Sequence, residues 1–280
     1  MVLIHETPVR LRLGAQLCME KKQLVLNNQL VTYYEEGHGP TPIIFLHGWR
    51  SEATVWQSTI QALCALRFAQ KYILYALNFP GFGTSEPPHR PFTLHDYAEI
   101  VKEFVIKLLA ISHKPQAIIV GHSFGARVAV KLAAQNPELI QKLILVDCGK
   151  THGQSAQRTA QSVLVTLAKP FFKPGFMQPL RKKIYEWLGA EDYIATPELK
   201  ETYLNIIREP LEPLFPQITV PTLIIWGEKD TTVPLTYGKK IHRAICASRF
   251  AVIKNAGHFP FLDDPATFLN LLKSDFDNSD

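Results

Sequence analysis

The sequence predicts an α/β fold, in which a mostly parallel central sheet is flanked by helices and interrupted by an inserted helical cap. Strand-like and helix-like segments alternate along most of the 280 residues, which is the pattern of a parallel sheet with helices on both faces. A β-branched run at residues 117–120 passes through a glycine-flanked turn into a helix-like segment at residues 126–137. The strand pattern is then lost over residues 150–216, where proline is frequent and helical patches occur.

The strands are predicted from short apolar runs. Residues 23–28 and 29–36 are expected to form an opening hairpin across Asn27 and Asn28. The last three of the later runs end in polar residues, and open parallel sheets bind ligands at the carboxyl ends of their strands. These later strands are predicted at residues 43–48, 72–81, 117–120, 142–149, 221–230 and 249–258.

The helices are predicted from composition and spacing. One is expected around residues 54–66, and a longer one spans residues 93–111, where Thr93 can cap the amino end and apolar residues recur at three- and four-residue spacing. The segment 126–137 is rich in Ala, Lys and Leu, which favours a helix. A short amphipathic helix is predicted at residues 265–276.

These elements divide the chain into three parts. Charged residues interrupt the apolar stretch of residues 1–22 and argue against a signal peptide. This segment is expected to form an amino-terminal arm that packs on the domain, with a peripheral membrane role as the alternative. Residues 23–149 and 217–280 are expected to form the core, and residues 150–216 the cap. No run approaches the roughly 20 apolar residues of a membrane-spanning helix, so no integral membrane segment is expected.

Bulk composition narrows the class of protein. The chain is 46% hydrophobic and 20% charged, unlike a disordered or fibrous protein. Its net charge of +5 falls short of the concentrated basic face that nucleic-acid binding needs, so no nucleic-acid partner is expected. The four cysteines form no C-x-x-C pair, which favours free thiols in a reducing cytoplasm over a zinc site or a disulfide framework.

The turn after residues 117–120 has the sequence GHSFG, which fits the pattern G-x-S-x-G. This pattern is typical of an elbow that holds a serine hydroxyl out at the edge of a parallel sheet, with a strand before it and a helix after it. Gly121 and Gly125 supply the small residues that such a tight turn needs. Ser123 is therefore the candidate nucleophile.

A serine nucleophile needs a base, which is usually a histidine oriented by a buried carboxylate. His258 follows one predicted strand and Asp230 closes another, so both are expected at the same sheet edge as the elbow. Asp147, at the end of a third strand, remains an alternative acid. Asp263 and Asp264 are expected to cap the last helix instead.

Attack on a carbonyl also needs donors for the oxyanion that forms. One is expected to be the backbone N–H of Phe124, directly after the nucleophile, and the other that of Trp49, in the loop after residues 43–48. The dipeptide His47-Gly48 lets the backbone turn there. We interpret His47 as a structural histidine bonded to neighbouring loops.

Together these features resemble the α/β-hydrolase superfamily over nearly the whole chain. The resemblance implies that Ser123, Asp230 and His258 form a catalytic triad. It also implies that Trp49 and Phe124 form the oxyanion hole and that the predicted cap covers the substrate as a lid. The motifs that support it are FLHGW at residues 45–49, NFPGFGTSEPP at 78–88, GHSFGA at 121–126, WGEKDTTVP at 226–234 and NAGHFPF at 255–261.

Departures from other branches of the superfamily narrow the expected reaction. Dehalogenases and epoxide hydrolases of this fold place Asp at the elbow, so Ser123 favours acyl transfer from carboxylic esters of small or medium acyl groups. The HGW loop is similar to that of carboxylesterases that cleave pimeloyl-carrier-protein methyl ester and of general small-molecule esterases. The sequence GFG at residues 81–83 lacks the third glycine of a dinucleotide fingerprint, and no cofactor or metal is expected.

Several alternatives remain open at this point. The same triad supports carbon–carbon bond hydrolysis or perhydrolysis, and the fold also supports non-catalytic ligand receptors. The basic residues 181–183 are either a docking site for an acyl-carrier protein or a solvated helix face. Four aromatic residues of the cap are either walls of the substrate pocket or cap-to-core packing, namely Phe171, Phe172, Phe176 and Trp187.

Overall fold

An eight-stranded sheet forms the centre of the fold. The computed structural model describes residues 19–66, 68–150 and 197–277. The strands are β1 (Glu20–Leu26), β2 (Gln29–Gly37), β3 (Thr41–Leu46), β4 (Tyr72–Leu77), β5 (Ala117–His122), β6 (Ile140–Val146), β7 (Thr222–Gly227) and β8 (Ser248–Ile253). Their order across the sheet is β1-β2-β4-β3-β5-β6-β7-β8. The pairs β1–β2 and β2–β4 are antiparallel, and every other neighbouring pair is parallel.

Helices cover both faces of this sheet. The described helices are α1 (Gln57–Ala65), α2 (Phe68–Lys71), α3 (Leu94–Ser112), α4 (Phe124–Gln135), α5 (Lys200–Arg208), α6 (Leu235–Ala244), α7 (Pro260–Asp263) and α8 (Pro265–Asp277). One apolar core holds buried residues of α3, α4 and α6, and a second holds buried residues of α1 and α8. The predicted fold class, a mostly parallel sheet flanked by helices, is therefore confirmed. None of the helices in the described ranges is long and apolar enough to cross a membrane.

Two local predictions are confirmed in detail. Asn27 and Asn28 have φ values of 45° and 61°, which is the left-handed pair that a two-residue hairpin turn requires. Thr93 caps α3, since its hydroxyl accepts from the Asp96 N–H at 3.3 Å while the Asp96 carboxylate accepts from the Thr93 N–H at 2.7 Å. This reciprocal pair is a capping box.

Helix α6 was not predicted, because its sequence LTYGKKIHRA contains a central glycine and few apolar residues. The structure gives the reason for the glycine. A Cβ on Gly238 would lie 2.5 Å from the ring of Trp226, so only glycine lets α6 pack directly on β7. Tertiary contact thus outweighs the low helix propensity of this segment.

The predicted arm and cap lie mostly outside the described residues. Within them, β1 already begins at Glu20 and takes in the end of the predicted arm. The end of the predicted cap, with α5, docks on the core through Arg127 of α4. The Arg127 guanidinium donates to the carbonyl oxygens of Gly149 at 3.0 Å, Ile206 at 2.8 Å and Glu209 at 2.7 Å. One buried side chain therefore links Gly149, at the end of the predicted first core segment, to α5 and the residue that follows it.

A buried ion pair attaches the last helix to the sheet. The ammonium of Lys142, on β6, lies 3.0 Å from Asp275 Oδ2, and both side chains are less than a tenth exposed. Asp275→Ala takes the carboxylate away from this buried ammonium, which keeps its bond to the backbone carbonyl oxygen of residue 275, and we expect a loss of about 3 kcal/mol. Thermal unfolding should show a fall of roughly 6–12 °C for a domain of this size. Arg249→Ala, which removes only the exposed partner of Asp275, is the control and should cost less than about 1 kcal/mol; equal losses in both variants would contradict the assignment.

Candidate active site

Ser123 lies at the tip of a strained turn between β5 and α4. Its backbone has φ 50° and ψ −108°, a conformation that costs a non-glycine residue free energy and persists only where the surroundings enforce it. A Cβ on Gly121 would lie 2.6 Å from the Gly125 oxygen, and one on Gly125 would clash with the Leu46 carbonyl. The two glycines of the motif are therefore required by close backbone contact, and the turn presents a partly exposed serine.

The structure brings together the three residues that the sequence selected from distant parts of the chain. Ser123 Oγ lies 3.0 Å from His258 Nε2, and His258 Nδ1 lies 2.7 Å from Asp230 Oδ2. The side chain of Asp230 is fully buried and that of His258 is 14% exposed. A hydroxyl, an imidazole and a carboxylate linked in this order can pass the serine proton to the imidazole.

Asp230 is held as an anion. Burial alone would raise its pKa, but hydrogen bonds from His258 and from the backbone N–H groups of Val233 and Thr232 lower the pKa below its ordinary value. The two backbone donors lie 3.0 and 2.7 Å from Oδ1. This oxygen is therefore fixed by the loop after β7, which leaves Oδ2 to accept from the imidazole.

The loop that presents His258 is fixed by two further side chains. His122 Nε2 lies 2.7 Å from the His258 carbonyl oxygen, and Asp263 Oδ2 accepts from the Gly257 N–H at 2.7 Å. Because a carbonyl can only accept, His122 Nε2 carries the proton. The expectation that Asp263 caps the last helix is wrong, since its carboxylate turns back to this loop; Asp264 does cap α8, by accepting from the Thr267 N–H at 3.1 Å.

Sequence reasoning did not assign these supporting roles to His122 and Asp263. His122 precedes the nucleophile within the motif GHSFG, so its position was a usable signal. Asp263 lies six residues after Gly257, and nothing in that spacing distinguishes a loop contact from a helix cap.

The loop after β3 passes directly over the elbow. A Cβ on Gly48 would lie 2.9 Å from His122 Nδ1 and 3.3 Å from Ser123 Cβ. His47 Nδ1 bonds the Gly48 carbonyl oxygen at 2.8 Å, and the Phe79 N–H donates to His47 Nε2 at 3.1 Å. In a trans peptide the N–H points opposite to the C=O, so fixing the Gly48 oxygen also fixes the direction of the Trp49 N–H. His47 has the loop-bonding role expected from the sequence.

Aromatic side chains line the region beside the elbow. The Trp49 ring lies 5.5 Å from that of Phe124, 4.8 Å from Phe82 and 5.2 Å from Tyr203, measured between ring centroids. Phe82 and Tyr203 were not singled out from the sequence, and Tyr203 comes from the end of the predicted cap. The candidate pocket residues Phe171, Phe172, Phe176 and Trp187, and the basic residues 181–183, lie outside the described residues.

Asp147 is not the carboxylate that bonds the imidazole. Its Oδ1 accepts from the Gly227 N–H at 3.0 Å, whereas Asp230 Oδ2 forms the hydrogen bond with His258 Nδ1.

Asp147, Asp230 and His258 each offer one potential metal-ligand atom, and these atoms lie within 4.8 Å of one another. Both nitrogens of His258 are already hydrogen-bonded, so a cation bound through this histidine would have to displace Asp230 or Ser123.

The two buried histidines should make folding sensitive to mild acid. Burial lowers the pKa of His47 to about 4 and, with the nearby His258, that of His122 to about 3. Because the folded-state values lie below the ordinary value of 6.5, the unfolded chain binds protons that the folded chain excludes. This stability is complete above pH 6.5 and is lost as pH falls through 4 toward 3.

Thermal unfolding between pH 7 and pH 4 tests this prediction. We expect the unfolding temperature to fall steadily below pH 6.5. His122→Gln, whose amide can still donate to the His258 carbonyl but does not ionise, should flatten that dependence. Identical slopes in the two proteins would show that His122 is not a buried neutral imidazole.

The chain is similar in sequence to known proteins. A pimeloyl-[acyl-carrier protein] methyl ester esterase of Pectobacterium atrosepticum is 28% identical over 259 residues, which is 83% of this chain and 93% of that protein. An uncharacterized protein of Mycobacterium tuberculosis is 25% identical over 274 residues, 87% of this chain and 77% of that protein.

The fold is also shared with solved structures. A thermophilic esterase from Thermogutta terrifontis superposes with a TM-score of 0.70 at 20% identity, covering 93% of this chain and 99% of that chain. A family model described as the alpha/beta hydrolase family matches residues 43–271. Since this match spans most of the sequence, the chain belongs to the alpha/beta hydrolase family.

Proposed function

We propose that the protein is a serine hydrolase that cleaves carboxylic esters of small or medium acyl chain length. The observation that supports this most directly is the hydrogen-bonded series Ser123–His258–Asp230, with the serine on a strained turn. A non-catalytic receptor has no need for a buried carboxylate that orients a histidine toward a serine. The esterase named among the relatives supports the choice of esters as substrates.

In the proposed reaction, Ser123 Oγ attacks the ester carbonyl while His258 Nε2 accepts the hydroxyl proton. Asp230 holds the imidazole through Nδ1 and stabilises the imidazolium that forms. The tetrahedral intermediate then collapses, and the alcohol leaves with the proton from His258. Water, deprotonated by the same nitrogen, attacks the acyl-enzyme and releases the acid.

The oxyanion is stabilised by the backbone N–H groups of Phe124 and Trp49. Phe124 is the first residue of α4, and the first N–H groups of a helix have no partner within it. The Trp49 N–H is oriented by the bonded Gly48 carbonyl on the opposite side of the same peptide. Each such donor typically contributes about 2.7–4 kcal/mol to transition-state stabilisation.

The hydrolysis of p-nitrophenyl esters from acetyl to palmitoyl length tests the proposal. We expect turnover with an optimum at short or medium chains, since bulky rings crowd the elbow. Rapid mixing should give an initial burst of p-nitrophenolate stoichiometric with enzyme where deacylation is slow, and mass spectrometry should place the acyl group on Ser123. A folded protein that turns over none of these esters would reject the proposal and direct attention to β-diketones and to ligand retention.

The relative that acts on a carrier-linked methyl ester suggests one further substrate for the same assay. A methyl ester presented on an acyl-carrier protein can be compared with the free methyl ester of the same acid. A kcat/KM at least about tenfold higher for the carrier-bound form, equivalent to about 1.4 kcal/mol of extra transition-state binding, would identify a carrier protein as partner.

A further inference from the structure

Asp147 is a buried carboxyl group for which the proposed reaction has no role. It follows β6 directly, has no solvent exposure, and adopts φ 42°. Left-handed backbone at a residue other than glycine costs free energy and is kept where surrounding contacts fix it. This strained residue is at the edge of the sheet where the nucleophile, acid and base are assembled.

The hydrogen bonds of Asp147 are incomplete on one side. Oδ1 accepts from the Gly227 N–H at 3.0 Å, but Oδ2 receives no N–H or O–H from the described residues. The carboxyl of Asp230 lies beside this group, with one oxygen of each within 4.8 Å of the other, and its interaction with the Asp147 side chain favours the protonated form of Asp147. Two ionised carboxylates have no hydrogen to share, so a hydrogen bond between them requires a proton on one of the two groups.

The surroundings place that proton on Asp147. Asp230 accepts three hydrogen bonds, from His258, Thr232 and Val233, and each stabilises its anion. Asp147 accepts one. Burial, reinforced by the charge of Asp230, raises the pKa of Asp147 to about 9.

The other ionisable groups that face Asp147 do not reverse this order. The negative charge of Asp263, at the end of α7, acts in the same direction as that of Asp230. The neighbouring Cys148 stays neutral, because burial raises its pKa to about 12. A positive charge on His258 would favour the Asp230 anion directly, because its Nδ1 is bonded to Asp230.

The lone pairs of Asp230 indicate where the proton points. A carboxylate offers about four acceptor sites, two on each oxygen. Oδ1 is filled by two backbone N–H groups, and Oδ2 has one bond from His258. The remaining site is on Oδ2, the oxygen that holds the catalytic imidazole.

We propose that Asp147 is a positioning residue whose neutral carboxylic acid donates a hydrogen bond from Oδ2 to Asp230 Oδ2 and holds that carboxylate against His258. The inference rests on the proposed function, since the position of Asp230 affects catalysis only if the triad acts. A neutral donor also moderates the negative charge that faces the imidazole.

Two variants separate this role from simple packing. Asp147→Asn has the same shape and retains an N–H donor, but it cannot ionise. Asp147→Leu has a similar volume and no donor. Two readouts need no turnover: the infrared C=O band of a protonated carboxylic acid at pH 7, and the pH at which the low-field proton resonance of His258 Nδ1–H is half converted.

We expect the infrared band in the wild type and its loss in both variants. The midpoint of the His258 resonance should stay within about 0.3 pH unit in Asp147→Asn and rise by about 0.5–1 unit in Asp147→Leu, since a donor to the charged partner is lost only in the second. On the preferred ester, kcat/KM at pH 7 should fall less than about threefold in the first variant and about tenfold or more in the second.

Each contrary result would have a different meaning. An absent infrared band, or a midpoint that falls by a unit or more in Asp147→Asn, would show that Asp147 is an anion and overturn the proposal. If Asp147→Leu kept the wild-type midpoint of the His258 resonance, Asp147 would contribute only packing. The asparagine variant decides the protonation state even if the leucine variant does not fold. If the spectroscopic results are as expected but no ester is hydrolysed, the proposed function fails and the hydrogen bond stands.

Discussion

Replacing Ser123 with alanine is expected to lower ester hydrolysis by about 10⁴-fold or more without unfolding the protein. Its hydroxyl is the group that His258 Nε2 contacts, at 3.0 Å, and its loss removes the acyl-enzyme route altogether. The backbone donors of Phe124 and Trp49 remain, so a small residual rate above that in water should persist. Steady-state rates on the preferred p-nitrophenyl ester measure the loss, and circular dichroism checks the fold.

A second serine–histidine pair in the same chain supplies the matched control. Ser248 Oγ lies 2.8 Å from His242 Nδ1, but the hydroxyl donates to the carbonyl oxygen of Ile245 at 2.6 Å. This serine begins β8 and is not on a strained elbow. Ser248→Ala should keep kcat within about twofold, because Ser248 is at the amino end of β8 and the candidate site is at the carboxyl ends of the parallel strands. Activity that survives Ser123→Ala but not Ser248→Ala would place the reaction elsewhere.

The second large effect is expected from Asp230→Asn, which should reduce kcat by about 10⁴-fold. An asparagine amide that donates to His258 Nδ1 would force the proton onto Nε2, and the imidazole then cannot accept the serine proton. Oδ1 of the replacement can still accept from Thr232 and Val233, so the loop after β7 should keep its shape.

Asp147→Asn is the comparison that tests the choice of acid. The two carboxylates are neighbours, yet only Asp230 bonds the imidazole. We expect kcat in Asp147→Asn to remain within about threefold of the wild type, because a neutral acid and an amide are similar donors. The reverse ranking, with an active Asp230→Asn and an inactive Asp147→Asn, would make Asp147 the catalytic acid and remove the basis of its positioning role.

Most elements were predictable because their signals are local. The hairpin depends on two adjacent asparagines, the cap of α3 on a threonine three residues before an aspartate, and the elbow on two glycines around Ser123. Helix α6 was missed because its stability depends on contact with Trp226, which its own ten residues do not encode. The predicted division into arm, core and cap remains a prediction.

The sequence by itself determined the fold class, the position of the candidate nucleophile, and the expectation that its partners lie at strand ends. Only the tertiary structure distinguished Asp230 from Asp147, because the strands that carry them are adjacent and parallel, and both carboxyls therefore reach the same edge. Which carboxyl group serves as the acid depends on which oxygen faces His258 and on which backbone N–H groups donate hydrogen bonds to each carboxyl group. These are distances between residues far apart in the chain, set by the order β5-β6-β7-β8, and no local pattern specifies them.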